Sequence, residues 1–245
     1  MNPIILIPAR LAATRFPGKP LALIAGLPMI VHVLNRARES GLGPVAVACA
    51  DMAIAEAVAE AGGTAVLTEP DLPSGSDRIH AALKILDPVR RHDVVINLQG
   101  DLPSMPAAFL AAVLRPLEQA EYDIATLVAP IASAEEAAAS SVVKCVCAFK
   151  AQEAVAPALY FSRNVVPGGG AALWHHIGVY AYRRAALEKF VALPESPLER
   201  LEKLEQLRAL EAGLRIGVAR VAFAPFGVDT PDDLEHVRKT VEREP

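Results

Sequence analysis

The run Ile4-Ile5-Leu6-Ile7 offers no polar residue to either face, so it suits a strand covered on both sides, as in a parallel sheet. Parallel neighbours need long crossover connections, and the first half of the chain supplies helix signals at the right places. Pro28 predicts the opening of a helix and Gly41 its end, with Met29, Ile30, Val33, Leu34 and Ala37 as the apolar stripe. Val45 to Cys49 reads as a second strand. Asp51 reads as the cap of a helix to Ala61, stopped by Gly62-Gly63. Ala65-Val66-Leu67 reads as a third strand, a helix follows from Ser76 to Leu86, and Val94-Val95-Ile96 is a fourth strand ending near Leu98. Phe109, Leu110, Val113, Leu114 and Leu117 mark the next helix. The alternation predicts an α/β fold, a doubly wound, mostly parallel sheet with helices on both faces.

The second half is less regular. Ile124 to Val128 and Val143 to Phe149 read as strands, the latter with Val143, Cys145, Cys147 and Phe149 on one face. His176 to Tyr182 reads as a strand with His176, Gly178, Tyr180 and Tyr182 on one face; four residues of regular strand place His176 and Tyr180 about 13 Å apart. Pro197 to Ala212 reads as one helix whose leucines at 198, 201, 204, 207 and 210 drift about 60° per step. Such a helix needs two apolar partners, one of them a second subunit. Thr230-Pro231-Asp232-Asp233 predicts the start of the last helix. No repeat or linker interrupts the chain, which reads as a single domain, residues 1–245, with a β-rich insertion.

Composition excludes several functions. A formal charge of −4 argues against a nucleic-acid binder. The longest stretch without Asp, Glu, Lys or Arg, Asn164 to Tyr182, contains Pro167, Gly168 to Gly170 and two histidines, so no membrane span is expected. Cys49, Cys145 and Cys147 are too few for a disulfide framework and lack a partner set at zinc spacing. The expectation is a reduced, cytoplasmic protein without a signal peptide.

Charge is nevertheless uneven. Residues 1–40 hold Arg10, Arg15, Lys19, Arg36 and Arg38 against Glu39 alone, a net of +4. Arg10, Arg15 and Lys19 fall in ten residues directly after the first strand, where open α/β sheets bind ligands. Clustered cations call for an anion, and a polyphosphate is the natural one. The loop matches neither the Walker A nor the Rossmann glycine pattern. Asp101, after the fourth strand, belongs at the same sheet edge, and a carboxylate beside a polyphosphate requires a hard cation between them, for which Mg²⁺ is suited. Asp229 precedes the last helix cap and matters only if the fold carries it to Asp101. Tyr160 to Arg163, His176, Tyr180, Glu205 and Arg208 could together line a pocket for a hydroxylated anion.

Several segments carry a family resemblance. Pro8-Ala9-Arg10, Thr14-Arg15, Pro17-Gly18-Lys19-Pro20-Leu21 and Pro28 to Leu34 are similar to the N-terminal signature of the 3-deoxy-manno-octulosonate (Kdo) cytidylyltransferases. The resemblance continues through Ser74-Gly75-Ser76-Asp77-Arg78, Gln99-Gly100-Asp101, Ala158 to Arg163, His176 to Tyr180, Ser196 to Glu199, Leu204 to Arg208 and Gly227 to Pro231. It implies a GT-A-like fold with a β-rich dimerisation and sugar-side insertion, usually in a homodimer. The implied reaction joins CTP and Kdo, with Mg²⁺, into CMP-Kdo and pyrophosphate for lipopolysaccharide synthesis. By resemblance, Pro8, Ala9, Arg10, Arg15, Lys19, Ser74, Gly75 and Arg78 hold the nucleotide. Arg15, Lys19 and Asp101 are catalytic, Asp101 and Asp229 bind the metal, and Gln99, His176, Tyr180 and Glu205 contact the sugar acid. Leu102 replaces an acid common in the family, Cys49-Ala50 replaces Thr-Asp, and His175 replaces Lys or Arg. The alternatives are an enzyme for amino-Kdo or a sialic acid, or a non-catalytic nucleotide-sensing relative.

Overall fold

A computed structural model describes residues 1–12, 16–169 and 172–241. The chain forms two compact units, one of Met1–Leu110 with Pro225–Pro245, the other of Ala111–Ala224.

The first unit opens with β1 (Pro3–Ala9), a small hairpin of β2 (Leu23–Ile24) and β3 (Leu27–Pro28), then α1 (Met29–Glu39), β4 (Val45–Cys49), α2 (Met52–Glu60), β5 (Ala65–Leu67), α3 (Gly75–Leu86) and β6 (Val94–Asn97). The sheet order is β5-β4-β1-β6, all parallel. Ile5, Leu6 and Ile7 are fully buried, as the apolar run requires. Ser74 caps α3, accepting from the Asp77 N–H at 3.2 Å. Asp51 departs from expectation. It stands at the N-cap of α2 with extended backbone, but its side chain makes no capping bond; it accepts the Leu11 N–H instead, at 2.8 Å.

The second unit begins at Ala111, within α4 (Ala107–Ala112). It contains β7 (Ile124–Pro130), α5 (Ala134–Ala138), β8 (Lys144–Val146), β9 (Val155–Pro157), β10 (Tyr160–Ser162), β11 (Trp174–Arg183), α6 (Arg184–Val191), α7 (Pro197–Glu202), α8 (Gln206–Glu211) and β12 (Ile216–Arg220). β7 pairs with β11 antiparallel and with β12 parallel; β9 flanks β12, and β8 pairs with β10 and β11. The strand expected over Val143 to Phe149 shortens to β8. It begins at Lys144, whose fully buried ammonium donates to the carbonyls of Ala139 at 3.0 Å, Val142 at 2.7 Å and Arg163 at 2.7 Å. All three donors of the ammonium are satisfied, which is what permits its burial.

The single leucine-rich helix is not formed. It breaks into α7 and α8 at Lys203, which adopts left-handed geometry with φ 56°. Glu202, just before the break, accepts from Ser162 Oγ at 2.8 Å and from the Arg163 N–H at 3.1 Å. Across the break, Arg208 forks onto Glu199 at 2.8 and 2.6 Å. Burial acts to raise the Glu199 pKa, but these charge-assisted bonds outweigh it and leave the carboxyl below its usual range. With the break, Leu204 and Leu207 turn inward while Leu201 stays 78% exposed on the chain's surface.

From residue 225 the chain rejoins the first unit and ends in α9 (Pro231–Val241). Val228, Leu234 and Val237 are buried against Ile24 and Met29, with Phe16 and Ala22 at the rim. Each such side chain contributes about 2 kcal/mol on leaving water, and this burial holds the C-terminal segment beside the first loop.

Candidate active site

The first unit forms an open cavity of about 290 Å³ at the carboxyl ends of β1 and β6. Pro8, Ala9, Arg10 and Lys19 line it from the first loop, Ser74, Gly75 and Arg78 from the start of α3, and Gln99, Gly100 and Asp101 from the turn after β6. The eleven-residue helix α1 and twelve-residue α3 place their backbones against this sheet. The N-terminal end of α3 adds a partial positive charge where its first residues border the cavity. Gly100 lets the turn approach β1 closely, because a Cβ there would lie 3.0 Å from the Pro8 carbonyl.

Lys19 follows Gly18, whose φ of 74° is a left-handed geometry suited to glycine. Its ammonium lies 3.1 Å from Asp101 Oδ2 and 3.8 Å from Asp229 Oδ1, and donates to the Val228 carbonyl at 2.8 Å. The Val228 N–H in turn donates to the Asp101 carbonyl at 2.9 Å. Asp229 therefore reaches Asp101 although 128 positions separate them. Two carboxylates converge on one cationic point beside a cation-lined cavity. That donor set fits a hard divalent cation, which takes one or two carboxylates and completes its shell with phosphate oxygens and water. Among the described residues no group of three or more His, Cys, Asp or Glu is placed to hold a metal ion.

Arg10 is exposed at the cavity edge. Arg15 lies outside the described residues. Arg78 lines the cavity, but its guanidinium donates to Thr68 Oγ1 at 2.6 Å and to the carbonyls of Glu69 and Pro70 at 3.0 Å each. Burial, and then Arg10, lowers its pKa. Arg78 thus braces the 68–70 segment. Gln99 donates to Asn97 Oδ1 at 3.1 Å and lines the same cavity as Arg10.

His176, Tyr180 and Glu205 belong to the second unit. The ring centroids of His176 and Tyr180 lie 5.5 Å apart, far closer than four residues of regular strand would set them. The reason is a register shift between Ile177 and Tyr180, where β11 takes three steps against one from Leu127 to Thr126 of β7. The result is a continuous aromatic wall: Phe161 meets His176 at 4.8 Å, and Tyr180 meets Tyr182 at 5.9 Å. Burial pushes the His176 pKa down to about 3, with His175 adding to the effect, so its imidazole is neutral at pH 7. Thr126 Oγ1 has carbonyl acceptors at 2.7 Å (Val179) and 3.1 Å (Ile177), which commit its proton. His176 Nε2, 3.0 Å from the same oxygen, is therefore assigned as the donor. Burial, then Tyr182 and Glu205, raise the Tyr180 pKa well above its ordinary value, which keeps a neutral phenol and places Glu205 within its electrostatic reach.

Sequence reasoning missed Glu202, Lys144 and the tether from Asp51. Lys144 had a signal, a lysine amid the apolar Val-Lys-Cys-Val run. Arg163 and Arg208, grouped above with a pocket, instead serve the Glu202 and Glu199 networks.

Residues 4–216 match the family model described as Cytidylyltransferase. The chain is 58% identical to a 3-deoxy-manno-octulosonate cytidylyltransferase of Rhodospirillum centenum, covering 97% of this chain and 92% of that one. It is 59% identical to the enzyme of the same name from a Methylobacterium species, covering 97% and 96%. A solved structure of CMP:2-keto-3-deoxy-manno-octonic acid synthetase complexed with CTP superposes with a TM-score of 0.90 at 40% identity over all of both chains. A cytidylyltransferase structure from Leptospira borgpetersenii, at 17% identity and a TM-score of 0.62 over 99% of this chain and 87% of that one, shares the fold. The α/β fold with a β-rich second unit is thus that of a sugar nucleotidyltransferase, and the chain belongs to the 3-deoxy-manno-octulosonate cytidylyltransferase family.

Proposed function

We propose that this protein transfers CMP from CTP to the anomeric hydroxyl of Kdo, giving CMP-Kdo and pyrophosphate. The observation that carries the reading is the convergence of Asp101, Asp229 and Lys19 beside the Arg10-lined cavity, in a chain of this family. The bond formed joins the anomeric oxygen to the α-phosphorus of CTP; the bond broken releases pyrophosphate, and the hydroxyl proton passes to solvent.

Each residue contributes a definable effect. Arg10, Arg15 and Lys19 bind the triphosphate, and Arg15 and Lys19 stabilise charge that develops on the departing pyrophosphate. Pro8, Ala9, Ser74 and Gly75 bound the nucleotide's space, with Arg78 bracing its wall. Asp101 and Asp229 hold a divalent cation, proposed as Mg²⁺; when bound, that ion screens phosphate charge and makes a coordinated hydroxyl more acidic. Gln99, neutral His176, Tyr180 and Glu205 contact the sugar acid through hydrogen bonds. A buried polar site of this kind rejects analogues that leave its groups unpaired.

The test is pyrophosphate release from CTP, UTP and ATP, each with Kdo, amino-Kdo and a sialic acid. CTP with Kdo should stand alone; release with a sialic acid only, or with none, would reject the assignment. In the same assay His176→Ala should raise KM for Kdo while calorimetric CTP affinity survives.

A homodimer is part of the proposal, and the cytoplasm is its proposed compartment. Among the described residues no helix is long and apolar enough to cross a membrane. Leu201 is 78% exposed, and Leu159 is 63% exposed, each next to a member of the Tyr160–Glu202 contact. Sedimentation should give twice the 25.9 kDa chain mass. Leu201→Glu should shift it toward monomer without unfolding, whereas buried Leu204→Glu should unfold the chain. A wild-type monomer at micromolar concentration would remove the dimer.

A further inference from the structure

We infer that Asp51 is a positioning residue for the triphosphate loop, acting through the Leu11 peptide on Arg10 and Lys19 together. The inference rests on the reading that this loop binds CTP.

Asp51 has the backbone of a helix cap, φ −122° and ψ 136°, yet leaves the start of α2 uncapped by its side chain. Forgoing a cap costs roughly 1 kcal/mol, so a competing interaction must outweigh it. That interaction is the 2.8 Å bond from the Leu11 N–H to Asp51 Oδ2, across 40 residues. One step earlier, the Ala50 N–H donates to the Ala9 carbonyl at 3.1 Å, extending the β1–β4 ladder past its last pair, Ala9 with Cys49. Arg10 is thus fixed on both flanks by consecutive residues, 50 and 51. The Leu11 carbonyl accepts the Gly18 N–H at 3.1 Å, and Gly18 launches the turn that carries Lys19. One residue, Leu11, therefore links Asp51 to both cavity cations.

The carboxylate's charge is not what the loop uses. A negative group near the phosphates opposes their binding, and Asp51 already acts on Arg78 in the sense opposite to Arg10. The acceptor oxygen, not the charge, does the positioning. This separates the role from capping by chemistry. Asn keeps an acceptor at the same reach. Ser is an equally good cap, but its shorter side chain cannot reach Leu11.

The experiment is calorimetric titration of CTP into wild type, Asp51→Asn, Asp51→Ser and Asp51→Ala, with kcat, KM and the melting temperature of each. Asp51→Ser and Asp51→Ala should bind CTP roughly fivefold more weakly, the scale of one lost neutral hydrogen bond. Asp51→Asn should restore wild-type binding. Asp51→Ser should melt above Asp51→Ala and below wild type, because it regains the cap but not the bond that outweighs it. Wild-type CTP affinity in Asp51→Ser, or Asp51→Asn as weak as Asp51→Ser, would overturn the role. A wild-type chain that fails to bind CTP would overturn both this role and the proposed function; binding by wild type and Asp51→Ser alike overturns this role alone.

Discussion

Lys19→Ala is expected to lower kcat by about two to three orders of magnitude, the scale of removing one preorganised charge contact to a transition state. The ammonium sits within 3.1 Å of Asp101 and 3.8 Å of Asp229, and its side chain is only 15% exposed. Without substrate it occupies the point on which both carboxylates converge. If the acid pair holds a divalent ion as proposed, Lys19 would act as a tethered cation competing with it. The substitution should have two opposite effects: turnover falls, while the affinity of the nucleotide-free protein for Mn²⁺, read by electron paramagnetic resonance, rises. The circular dichroism spectrum should not change, because the core of Ile24, Met29, Val228, Leu234 and Val237 does not include Lys19. Near-wild-type turnover would remove Lys19 from catalysis, and unchanged Mn²⁺ affinity would show that it does not guard the acid pair.

Asp101→Asn and Asp229→Asn should each reduce metal-dependent turnover by about two orders of magnitude or more, and the double substitution should be scarcely worse than either single one. Both carboxylates face the same ammonium, and the Val228–Asp101 backbone bond ties their segments together. Groups that act as one unit lose their function when either fails, so the defects do not multiply. The measurement is kcat for both single variants and the double variant across a Mg²⁺ titration. Defects that multiply would mean the two residues serve separate steps.

Much of the first unit is legible in its residues alone. β4 and β5 fall where their apolar runs place them, Val45–Cys49 and Ala65–Leu67; β4 is buried on both faces, while the edge strand β5 buries only Val66. Arg10 and Lys19 are legible as a cationic cluster because like charges crowd after β1. The single helix expected over Pro197 to Ala212 fails for a physical reason. Leu, Glu, Lys and Arg are all good helix formers, and no Gly or Pro marks the break. The left-handed Lys203 costs about 1 kcal/mol locally, and the bonds that Glu202 and Glu199 receive from Ser162, Arg163 and Arg208 offset it. The His176–Tyr180 spacing fails likewise, since the bulge in β11 depends on its pairing with β7.

The α/β class, the cationic loop and the family follow from the order of residues, because periodicity, charge density and motif order are local properties that survive in one dimension. Three-dimensional packing alone settles that Asp229 meets Asp101, that Asp51 holds Leu11 instead of capping α2, and that Lys19 lies between the two acids. Those contacts come from burying Val228, Leu234 and Val237 on Ile24 and Met29 and from the β1–β4 register. Hydrophobic burial is non-directional and indifferent to sequence separation, so nothing in the spacing of these residues announces which of them it will bring together.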